Sequence, residues 1–107
     1  MIQEIQSQLA ELIAENTKGS NALFEAERAL AEAEYELDTA ESKAFLKAQG
    51  TVADRQAISK LESAEARLQR DLRKAELSRI KQKIRSIETA SMVLATQAKL
   101  MSNEARL

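Results

Sequence analysis

The sequence predicts an all-α protein. Three observations carry that prediction: the 107 residues contain no proline, only two glycines, Gly19 and Gly50, and apolar residues that recur every three or four positions. Proline and glycine are the strongest breakers of regular structure, so a chain nearly free of both has few places to turn. Hydrophobic residues make up 44% of the chain and charged residues 31%, a balance suited to long interacting helices. The expected architecture is an antiparallel coiled-coil helical hairpin that forms one domain over residues 1–107 and associates with itself.

The first helix is expected over residues 2–49. Its apolar and small residues Leu23, Ala26, Leu30, Ala33, Leu37, Ala40 and Ala44 keep heptad spacing, with the larger side chains mostly at one core position and alanine at the other. Ile2, Ile5, Leu9 and Leu12 form an earlier stripe. Between the two lies Asn16-Thr-Lys-Gly-Ser-Asn21, rich in stop and cap residues, where a hinge is expected that would leave a short third helix at the amino terminus. If Asn16 and Gly19 occupied core positions instead, the heptad phase would run on unbroken.

The turn is placed at residues 49–51. Gly50 can take the left-handed conformation that ends a helix, and Thr51 offers a capping hydroxyl with Asp54 three positions later. The second helix is then expected to run without interruption over residues 52–105. Its first stripe, Ala57, Leu61, Ala64, Leu68 and Ala75, is assigned to the seam with the first helix, so that Leu30, Leu37, Leu61 and Leu68 meet there. The later stripe, Ile80, Ile84, Ile87, Ser91, Leu94, Ala98 and Met101, is displaced by roughly 100° around the helix. That displacement assigns Ile80, Ile84, Ile87 and Leu94 to another partner, either a second copy in a homodimer or the amino-terminal segment.

Charge is distributed unevenly. Residues 1–50 hold four basic and ten acidic side chains, and residues 51–107 hold twelve basic and seven acidic, for a net charge of −1. A basic stripe is expected from Arg67, Arg70, Lys74, Lys81, Lys83 and Arg85. One reading pairs it internally, with Glu41 level with Lys60, Glu34 with Arg67 and Glu27 with Lys74. A second gives it an acidic protein partner, and a third, weaker because the chain is acidic overall and has three aromatic residues, gives it nucleic acid. Lys81, Lys83 and Arg85 lie beyond the acidic run of the first helix and are the best candidates for free charges.

Without histidine or cysteine the chain has no imidazole base, thiol nucleophile, disulfide or tetrahedral zinc site, and two isolated glycines cannot make a phosphate loop. No catalytic residue, cofactor or metal is expected. The pairs Glu32 with Glu36 and Glu34 with Asp38 read as solvated surface. The longest uncharged stretch, Thr89 to Ala98, is about half of what crosses a bilayer. With no signal-peptide pattern at the amino terminus, a cytoplasmic location without membrane contact is expected.

The run Lys43-Ala-Phe-Leu-Lys-Ala-Gln-Gly-Thr-Val-Ala-Asp-Arg55, followed by a charged helix ending Leu100-Met-Ser-Asn-Glu-Ala-Arg106, resembles small helical proteins of bacteriophages and prophages. In that group a turn of the form "KA, any residue, GT or GS, any, A, any, R" joins two charged helices, often encoded near replication or recombination genes. The likeness covers residues 40–106. It implies a protein acting in the host cell, as an adaptor binding a host or phage protein of DNA replication, recombination or host defence. A self-assembling structural protein and a direct DNA-binding accessory protein are the alternatives.

Overall fold

The computed structural model describes residues 1–106, and among them the protein is all-helical with no strand. Helix α1 spans Ile2–Lys47, α2 Val52–Glu62 and α3 Ala64–Arg106. Two compact units result: unit 1 joins Met1–Phe24 to the chain from Arg79 onward, and unit 2 is Glu25–Ser78.

Helix α1 has no break at residues 16–21, so the expected hinge and separate amino-terminal helix are absent. The reason is local. Thr17 Oγ1 donates to the Ile13 carbonyl at 3.1 Å and Ser20 Oγ to the Asn16 carbonyl at 3.2 Å, so hydroxyls suited to capping a new helix bond back onto the existing one. Asn16 and Gly19 are both half-buried, which places them in the same heptad phase as Leu12 and Leu23.

Beyond Lys47 the chain leaves the helix for residues 48–51, where Gly50 has a φ of 111° that other residues rarely adopt. Thr51 then starts α2 with a complete capping box: the Asp54 amide donates to Thr51 Oγ1 at 3.2 Å, and the Thr51 amide donates to Asp54 Oδ2 at 3.3 Å. The carbonyl of Phe45, in the last turn of α1, would otherwise lack a helical partner. Arg55 supplies one, donating through Nε at 3.3 Å and Nη2 at 3.1 Å, while its guanidinium lies 4.3 Å from the centre of the Phe45 ring.

The helix expected to run uninterrupted from residue 52 stops at Glu62 and resumes at Ala64. Ser63, fully buried, stands at the break. Its hydroxyl donates to the Ser59 carbonyl at 2.7 Å and the Lys60 carbonyl at 3.4 Å, and Arg67 Nη1 also donates to Lys60 at 3.2 Å. Two side-chain donors thus converge on the Lys60 carbonyl, unlike the single back-bonds of Thr17 and Ser20, which leave α1 unbroken.

Unit 2 also reverses the assigned seam. On α1 the buried residues are Ala26, Ala33, Leu37 and Ala44, in the phase expected. On the returning chain the buried residues are Ser59 and Ser63, whereas Leu61 is 78% exposed and Leu68 50% exposed. Ser59 Oγ donates to the Glu41 carbonyl at 2.8 Å, and together with Arg55 it fixes the rotation of α2 against α1. Leu61 lies two residues from Ser59, roughly 200° around the helix, and must point away. The buried Ile87 and the half-buried Ala66, Arg70, Arg73, Leu77, Ile80, Ile84, Ser91, Leu94, Ala98 and Met101 follow one alternation of three and four, so the inward row of α3 continues without rotation.

The two sets of leucines should respond differently to truncation. Leu37→Ala is expected to cost roughly 2–5 kcal/mol as a core deletion, and Ala33→Trp about 1–3 kcal/mol by overpacking. Leu61→Ala should stay within about 0.5 kcal/mol. Urea unfolding of the three variants checks this, and a large loss at Leu61 would return that residue to the seam.

Candidate interaction surfaces

Unit 1 is built on close approach at one glycine. A Cβ at Gly19 would lie 3.1 Å from Ile84 Cγ1, tighter than ordinary contact, so the bare backbone at Gly19 is what lets Ile84 pack there. Beside this contact is a shallow hollow of about 370 Å³ floored by Ala22, Ile80, Ile84 and Ile87, with Glu15, Lys18 and Lys83 at its edge. Ile87 is buried, while Ile80, Ile84 and Leu94 are half-buried. The isoleucine face assigned first to a second copy is therefore met by the amino-terminal part of α1, the other partner considered for it.

The six basic residues are divided between the units, Arg67, Arg70 and Lys74 in unit 2 and Lys81, Lys83 and Arg85 in unit 1. In unit 2, Arg67 donates to Glu41 Oε1 and to Ser63 Oγ, at 3.2 and 3.1 Å, and Arg70 Nε to Asp71 Oδ1 at 2.7 Å. Glu41 thus takes Arg67 rather than Lys60. Helical side chains lean toward the amino terminus of their helix, and the further bond of Arg67 to the Lys60 carbonyl draws it the same way, away from Glu34. Lys74 is exposed and has no carboxylate within 4.0 Å among the described residues.

In unit 1, Lys81, Lys83 and Arg85 are exposed, and none has a carboxylate within 4.0 Å among the described residues. Lys81 and Arg85 stand one turn apart on one edge of α3. Lys83, roughly 200° around from Lys81, belongs to the opposite edge and the hollow. From Arg79 to Arg85 the sequence has four cations and no acid; Lys81 and Arg85 share this edge, with Glu88 three residues beyond Arg85. Phe24, 64% exposed, and Ile13, 65% exposed, belong to the same unit.

A further surface escaped the sequence reasoning. Ile58, Leu61, Leu68 and Leu72 are all exposed on the side of α2 and α3 away from the seam. The signal that reveals them is the unbroken spacing from Met101 back through Leu77, which extrapolates to Arg73, Arg70, Ala66, Ser63 and Ser59 and leaves the leucines outside. The described residues hold no group of three acidic side chains placed to bind a metal ion, and no helix among them is long and apolar enough to cross a membrane. No protein-family model, curated protein or solved structure matches the chain.

Because Gly19 sits against Ile84, Gly19→Leu is expected to destabilise the protein by the overpacking cost of about 1–3 kcal/mol, although leucine is the better helix former. Thermal unfolding followed by circular dichroism measures it. A rise in melting temperature would show that the contact is loose.

Proposed function

We propose that the protein is a non-enzymatic helical adaptor that receives an acidic segment of a partner protein along the Lys81 and Arg85 edge of unit 1. The observation that carries this reading is the exposure of these two cations, one turn apart, with no carboxylate within 4.0 Å among the described residues. Cations that no internal acid neutralises are available to an external one, and they steer an oppositely charged partner toward the site.

In this reading each unit pairs a stretch of α1 with the returning chain as an antiparallel coiled coil. Gly19 against Ile84 sets the phase in unit 1, and Ser59 against Glu41 sets it in unit 2. The resemblance over residues 40–106 makes the setting a phage or prophage protein in the host cytoplasm, and the partner a host or phage protein of DNA replication, recombination or host defence. A net charge of −1 and three aromatic residues favour protein over nucleic acid as the bound species.

Affinity capture from host lysate, with and without nuclease, tests the proposal. One specific protein should be retained after nuclease treatment and lost with the Lys81→Glu, Lys83→Glu, Arg85→Glu triple variant. Helicity and melting should change little, since exposed charges contribute about 0–1 kcal/mol. Capture abolished by nuclease would assign DNA instead, and capture of the chain alone would assign self-assembly.

A further inference from the structure

The hollow in unit 1 has a chemistry that the basic edge does not use. We infer that it binds a small amphipathic anion, a molecule with an apolar body and a single carboxylate or comparable acidic head. Its floor is Ala22 of α1 with Ile80, Ile84 and Ile87 of α3, and its volume of about 370 Å³ lies within the roughly 300–1,000 Å³ of small-ligand clefts. Ile84 already fills the space beside Gly19, where a Cβ would come within 3.1 Å of it. Ala22, three residues on, is exposed and lines the hollow with a single methyl group. Ile80 and Ile84 are half-buried, so apolar surface stays in water there, and an apolar body that covers it gains the free energy of removing it from water.

Charge at the rim selects the head group. Lys18 and Lys83 line the hollow, one from each helix, and neither has a carboxylate within 4.0 Å among the described residues. An anion seated on the isoleucines therefore brings its head to a rim that carries both ammonium groups. Glu15 is the one acid of that rim, and it limits the charge of the ligand. Two lysines against one glutamate leave a single positive charge, which a monoanion neutralises and a dianion exceeds. A neutral apolar molecule would cover the floor and leave the lysines without a partner. An inorganic anion would meet the lysines and leave the floor wet. An amphipathic monoanion satisfies both.

Isoleucine methyl NMR of the intact chain tests the inference, because Ile80, Ile84 and Ile87 lie in the hollow while the exposed Ile13 and Ile58 lie outside it. The probes are octanoate, neutral octanol and the dianion octanedioate, each titrated at low salt and below any micelle-forming concentration. Saturable shifts at Ile80, Ile84 and Ile87 are expected with octanoate, and octanol and octanedioate should bind about three- to tenfold more weakly. Lys18→Gln with Lys83→Gln should reduce octanoate to the level of octanol. Ala22→Leu, which fills the hollow from an exposed helical position, should abolish the titration while circular dichroism is unchanged. Absence of saturable shifts, equal binding of octanol, an equal response at Ile13 and Ile58, or indifference to either variant would overturn the inference. So would loss of helicity in Ala22→Leu, since a hollow with room for a ligand has room for that side chain. Lys81 and Arg85 are unchanged in every variant, so this result and that of the basic edge are independent.

Discussion

The hydrogen bond from Ser59 Oγ to the Glu41 carbonyl, 2.8 Å long, sets the rotation of the returning chain in unit 2, and much of the protein's surface chemistry depends on that rotation. A serine can bring two helical backbones close where a leucine would hold them apart, and the Ser59 hydroxyl takes its acceptor across the gap. Arg55 on the Phe45 carbonyl and Arg67 on Glu41 fasten the same pair of segments on either side. Once positions 55, 59 and 63 face α1, the residues half a turn away have no choice of direction.

The consequence is energetic as well as geometric. A neutral hydrogen bond contributes about 0.5–1.5 kcal/mol net and one to a charged group about 1.5–3 kcal/mol, whereas burying a leucine contributes about 1.5–3 kcal/mol. An alternative rotation would give up the bonds of Ser59 and Arg55 to α1 carbonyls in exchange for burying Leu61 and Leu68.

Unit 1 follows another rule. Its packed positions on α3 are large and apolar, and the small partner is Gly19, against which Ile84 closes. Here the stability comes from apolar burial and close approach, and the four ion pairs among the described residues all lie in unit 2. Among the described residues the cations of unit 1 form no ion pair, whereas Arg67 and Arg70 are paired within unit 2.

What the sequence by itself determined was the helical class, the phase of α1 from Leu23 to Ala44, and the break at Gly50 with its Thr51 cap. Those follow from properties local to the chain: the lack of breakers, the heptad spacing of small and apolar residues, and a glycine next to a capping box. Tertiary structure decided the rest. The polar run at 16–21 stays helical because Thr17 and Ser20 bond backward and because Gly19 has a neighbour to fill its missing side chain. The leucines at 61 and 68 leave the seam because Ser59 and Arg55 bond to carbonyls of α1 and turn that face inward, and no pattern based on hydrophobicity ranks a serine above a leucine as a core residue. Which cations are free depends likewise on which acids lie across the seam, since an ion pair is a property of two segments distant in sequence.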